Sequence, residues 1–130
     1  MSEQDYATLV REDRVHTSLY QDAAIFDEER DRIFKNTWVW VAHESDVPVK
    51  NSFKTSWVGR EPVIVTRDRE LKVNVPLNRC RHRAASVCEK KKGKASVFVC
   101  LYHGWSYDPD GTLRKVPHAA GDPEDFDKSE

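Results

Sequence analysis

The 130-residue chain balances 21 basic against 22 acidic side chains, a net charge of -1, and 38% of its residues are hydrophobic. That length suits one core, and the charge balance lacks the basic surplus of a nucleic-acid-binding domain. Neither a signal peptide nor an apolar run near the roughly 18 residues of a membrane span is readable, so a cytoplasmic location away from the membrane is expected.

In chain order, residues 22–35 place Ala24, Ile25, Ile33 and Phe34 among acidic and basic side chains at helical spacing. Asp22 stands where a helix cap belongs, which predicts one amphipathic N-terminal helix. Residues 38–42, 53–59, 62–66 and 71–75 are short β-prone runs separated by turn-rich or charged stretches. Residues 89–94, Glu-Lys-Lys-Lys-Gly-Lys, read as a solvated loop tip between strands, with an interaction patch as the sharper alternative. Residues 96–99 and 105–107 form another β group. The turn Asp108-Pro109-Asp110-Gly111 then folds it into a hairpin closed by Thr112 and Leu113. Residues 121–130 are acidic and poor in apolar side chains, as in a linker or disordered end. The expected fold is mainly β, a small antiparallel sandwich or barrel behind an N-terminal α-helix.

Three cysteines, an odd number with no secretion signal, favour metal ligation or catalysis over a disulfide framework. Two of them head matched Cys/His pairs, Cys80-Arg81-His82 and Cys100-Leu101-Tyr102-His103, separated by positions 83 to 99. A Rieske-type [2Fe–2S] cluster needs this set, two thiolates on one iron and two imidazoles on the other. Cys80, His82, Cys100 and His103 are therefore the candidate metal and cofactor ligands. Zinc held by the same four side chains is the competing reading, although structural zinc sites more often pair C-x-x-C with His pairs.

With those residues in view, the chain resembles the Rieske non-haem iron oxygenases from about Val15 to Asp127. Asn78-Arg79-Cys80-Arg81-His82-Arg83 with Cys88, then Cys100 through Tyr107 and Asp110-Gly111, look like the two cluster-binding loops of aromatic-ring-hydroxylating oxygenase large subunits. Residues 37–45 look like the stretch that opens their Rieske domain. Residues 81–85 and 115–118 are most similar to the benzoate, anthranilate and salicylate branch. The resemblance implies an arm and helix over 1–37, a Rieske domain over 38–118, and a linker over 119–130 toward an absent catalytic domain. It also implies one-electron transfer from a ferredoxin or NAD(P)H-dependent reductase to a mononuclear Fe(II), held in that missing domain, within an assembly of oxygenase subunits acting on an aryl carboxylate. Catalytic residues are expected nowhere in this chain.

High-potential respiratory Rieske proteins carry a disulfide and a Ser at positions that are here Ala85, Tyr102 and Trp105. A reduction potential toward the bottom of the roughly -150 to +300 mV Rieske range follows. Leu101 stands where the family commonly has Pro, and Ala84 where many members have Gly, which bears on loop rigidity.

Cys88 reads as a packing residue, and His16, His43 and His118 carry little signal. Trp105 and Tyr107 read as core aromatics that also shield the cluster. Arg81 and Arg83 read equally well as solvated side chains and as a basic rim for an acidic donor. Two further readings stay open, a stand-alone Rieske ferredoxin and a zinc-stabilised interaction module.

Overall fold

The computed structural model describes residues 6–117, and the chain divides between Val39 and Trp40 into two compact units. His118, the acidic tail and the expected linker lie outside the described residues.

In the first unit a short helix α1 (Ser18–Gln21) precedes α2 (Ala23–Glu29). Asp22 caps α2 as its sequence position suggested, its carboxylate accepting the Ala24 N–H at 2.8 Å. The helix does not run on in α form to Lys35. A π-helical turn, Arg30–Phe34, takes over, with Lys35 N–H reaching back five residues to the Arg30 carbonyl. Ile25 is buried, Phe26 meets Phe34 edge to face at 6.3 Å, and Arg32–Glu28 and Lys35–Asp31 ion pairs line the wet side.

The second unit is mainly β, as expected, and its described residues form two open antiparallel sheets and no closed barrel. The first runs in the order β3 (Val73–Asn74), β2 (Glu61–Arg67), β1 (Ser52–Val58), β4 (Lys92–Lys94), and the second joins β5 (Phe98–Val99), β6 (Ser106–Tyr107) and β7 (Leu113–Lys115). β1 and β2 pair over six positions, from Phe53 opposite Thr66 to Val58 opposite Glu61. The hairpin predicted through residues 108–111 is present as β6 and β7.

Two expectations fail. Residues 38–42 form no strand and join no ladder among the described residues, so their β-propensity goes unused; Trp40 is left 75% exposed, and Val41 uses its carbonyl to accept the Ser56 hydroxyl. The lysine run, in contrast, is not only a loop. Residues 92–94 pair with β1 as an edge strand, where Gly93 lies over the Phe53 ring and lysines can point to water.

The sheets close on one core. Phe53 of the first meets Phe98 of the second edge to face at 5.3 Å, and Ile64, Val87, Trp105, Tyr107, Leu113 and Val116 fill in around both Cys80 and Cys100. Thr66, 1% exposed, donates its hydroxyl to the Pro109 carbonyl at 2.6 Å and ties β2 to the turn of the second hairpin. After β3, residues 76–78 run back along β2, where Pro76 accepts Ile64 N–H and Asn78 N–H reaches Pro62, and this delivers the chain to Cys80.

Candidate metal centre

Both Cys/His segments are the same turn built twice. Cys80 N–H reaches the Ala85 carbonyl while Ala84 N–H returns to the Cys80 carbonyl, each at 2.8 Å; Cys100 N–H reaches Trp105, and Gly104 N–H returns to Cys100, at 2.8 and 2.9 Å. The fifth residue of each turn is left-handed, Ala84 at φ 56° and Gly104 at φ 75°. Glycine takes that conformation freely, whereas at Ala84 the Cβ is strained.

The turns divide their Cys and His side chains by depth. Cys80 is 3% and Cys100 2% exposed, so both thiols enter the core, whereas His82 and His103 lie on the surface. The two imidazoles meet edge to face with centroids 4.5 Å apart. Trp105, from the second turn, stacks within 8° of parallel on His82 of the first at 5.0 Å, and Tyr102 packs on His103 at 3.9 Å. Lost hydration first, then the nearby His82 and Arg83, hold His103 below its ordinary pKa, which favours the neutral imidazole that binds metals. Among the described residues no three His, Cys, Asp or Glu side chains converge on one point suited to a single ion.

Two residues around the turns gain a role that local pattern did not give them. Tyr107, expected as a core aromatic that also shields the cluster, places its hydroxyl 3.1 Å from Cys80 Sγ and 3.0 Å from Arg81 N–H. Burial, then the contact with Cys80, pushes its phenol up to about 12, so it keeps its proton and can donate to the sulfur. Asn78 is buried and braces the first turn from behind: its Oδ1 accepts Val87 and Cys88 N–H at 3.0 and 2.8 Å, and its Nδ2 donates to the Cys88 carbonyl at 2.7 Å. An Asn just ahead of a Cys/His loop was the one available signal.

The remaining candidates separate. Cys88 is half-buried and packs against the core that holds Cys80 and Cys100, with its thiol directed to the Lys90 carbonyl. His43 caps the turn Glu44–Asp46, its Nδ1 accepting Ser45 N–H at 3.2 Å, and His16 makes the same local contact with Ser18. Arg81 and Arg83 are exposed.

Comparison with known proteins agrees with this architecture. Residues 37–123 match the family described as the Rieske [2Fe-2S] domain. The chain belongs to that family. It is 41% identical over 121 residues to the anthranilate 1,2-dioxygenase large subunit of Burkholderia cepacia, covering 88% of this chain and 29% of that protein. It is 40% identical over 115 residues to the biphenyl 2,3-dioxygenase subunit alpha of Rhodococcus jostii, covering 87% and 25%. A solved naphthalene 1,2-dioxygenase with indole in its active site superposes with a TM-score of 0.84 at 30% identity, over 97% of this chain and 29% of that one. The chain thus spans about a quarter of the length of the curated relatives it matches.

Proposed function

We propose that this Rieske domain holds its [2Fe–2S] cluster through Cys80, His82, Cys100 and His103 and carries single electrons to the catalytic iron of an aromatic-ring-hydroxylating oxygenase. The observation that carries the reading is the split by depth, with two thiols in the core and two imidazoles at the surface. His82 and His103 would then hold the cluster on the side open to a partner and Cys80 and Cys100 on the side buried in the core, and neutral imidazoles would make an electron easier to accept than four thiolates. Each turn offers one thiol and one imidazole, the mixed donor set of a Rieske cluster, whereas structural zinc sites more often pair C-x-x-C with two histidines.

The electron arrives from a ferredoxin or an NAD(P)H-dependent reductase and leaves through the histidine surface, toward a mononuclear Fe(II) in a further domain or neighbouring subunit. An aryl carboxylate is the substrate class favoured by the wording around Arg81-His82-Arg83-Ala84-Ala85 and by the match to the anthranilate enzyme. The chain is similar to a comparable degree to a biphenyl enzyme. A free-standing ferredoxin remains the second reading for the chain, because the electron-carrying site would be the same.

The test is spectroscopic. Purified anaerobically, the full chain should bind two irons and two sulfides, absorb in the visible, and lose both on Cys80→Ser or Cys100→Ser. His103→Cys should keep iron and lower the potential, since a thiolate returns negative charge. A colourless protein containing stoichiometric zinc would sink the proposal.

A further inference from the structure

The charge of the second unit is unevenly placed. Lys90, Lys91, Lys92 and Lys94 are all exposed, Glu89 is the single acidic residue in the run, and none of the four lysines enters an ion pair among the described residues. β4 is bonded to β1 on one side only. In that register Lys92 lies opposite Lys54, a like-charge pair that weakens a sheet, and Lys54 already gives its charge to Asp46 at 2.9 Å. Beside this edge is a groove of about 460 Å3, lined by Lys92 and Lys94, by Phe53 and Phe98 of the two sheets, and by Leu101 of the second Cys/His turn. Leu101 is 86% exposed and adjoins Cys100. A basic edge, an apolar groove and a turn of the cluster site are therefore continuous.

We infer that this face receives the electron donor, a small carrier protein with an acidic surface around its own redox centre. The inference rests on the electron-transfer reading above and adds where the donor binds. Charge complementarity selects the partner: the lysines attract an acidic face over a distance, and the groove takes apolar side chains at its centre. Position selects donor over acceptor. If the exposed imidazoles of His82 and His103 hand the electron on, a donor seated on the flank beside Leu101 leaves that surface free. On binding, the reduced carrier loses one electron and this chain gains it, with no bond made or broken. Lysines on an edge strand also deter edge-to-edge pairing, a duty that any charge performs.

Charge reversal separates the two roles. The full chain with its cluster is mixed by stopped flow with a reduced acidic [2Fe–2S] ferredoxin, at low and at physiological ionic strength. Lys90→Glu/Lys92→Glu/Lys94→Glu keeps the edge charged and should slow the second-order reduction on the order of 10-fold or more at low salt, the gap closing as salt rises. Its reduction by dithionite should match the parent, and its melting temperature should not fall, because Lys92→Glu turns the like-charge pair with Lys54 into an opposite-charge one. Transfer at the parental rate would overturn the inference, as would slowing that follows Arg81→Glu/Arg83→Glu alone. A parent reduced by dithionite but never by the ferredoxin would refute this docking face and leave the electron-carrying cluster standing. A parent that no reductant changes would refute both.

Discussion

Replacing Tyr107 with Phe deletes one hydroxyl from a buried ring. That oxygen stands 3.1 Å from Cys80 Sγ and accepts Arg81 N–H at 3.0 Å, and its pKa of about 12 keeps it protonated across the physiological range. With Cys80 on iron, each electron added to the cluster increases negative charge on the sulfur and tightens the hydroxyl's grip. Hydrogen bonds to charged groups contribute about 1.5–3 kcal/mol against about 0.5–1.5 for neutral ones, so a difference of about 1 kcal/mol between the two redox states is reasonable. For one electron a tenfold change is about 59 mV and about 1.4 kcal/mol, which converts that difference to about 40 mV. Tyr107→Phe should therefore lower the reduction potential by about 40 mV. It should also cost about 1 kcal/mol of stability through the orphaned Arg81 N–H. Protein-film voltammetry reads the first and denaturant unfolding the second. An unchanged or raised potential, with the visible spectrum intact, would refute the role given to the hydroxyl.

Ala84→Gly should raise stability by about 1 kcal/mol by relieving the left-handed strain, whereas Gly104→Ala should cost at least as much, because its new Cβ would also sit 3.0 Å from Pro117; paired thermal melts test both signs. Asn78→Ala removes three hydrogen bonds and strands two backbone donors, so a loss of about 3 kcal/mol in urea unfolding is expected, with weaker cluster retention. Asp46 is held below the ordinary carboxylate pKa by Lys54 and then by His43 N–H. Its contribution is thus complete above the unfolded value of about 3.9 and lost as pH falls through the lower folded value. The stability advantage of the parent over Asp46→Asn should accordingly be full near neutrality and vanish in acid.

The four proposed ligands could be read from the chain because each pair is local and its residue types are chemically restrictive. The strands beginning at Ser52 and Glu61 were legible for a similar reason, since two β-prone runs joined by a tight turn fix their pairing within a few residues. Failures came where a decision is made far away in sequence. Residues 38–42 have the composition of a strand and no ladder to join, whereas residues 92–94 have the composition of a loop and find the free edge of β1 some forty residues earlier. Tyr107 reaches Cys80 across 27 positions, a contact that no periodicity announces. The π turn of Arg30–Phe34 had no local signal either.

The two Cys/His segments look unequal as text, C-x-H against C-x-x-H, yet their backbones close identically, fifth residue to cysteine and cysteine to sixth. What is repeated is the closure, with histidine moved by one position within it. That displacement sets the rings at different points on equivalent turns, so that they meet edge to face at 4.5 Å, with Trp105 of the second turn covering His82 of the first. The left-handed fifth residue then becomes the fixed requirement of both turns. Ala84, which as sequence looked like a threat to loop rigidity, keeps the same turn as Gly104 and carries its cost as local strain. Spacing alone suggests two different loops, whereas the hydrogen bonds define one loop used twice, and it is this duplication that brings two cysteines into one core and two histidines to one surface.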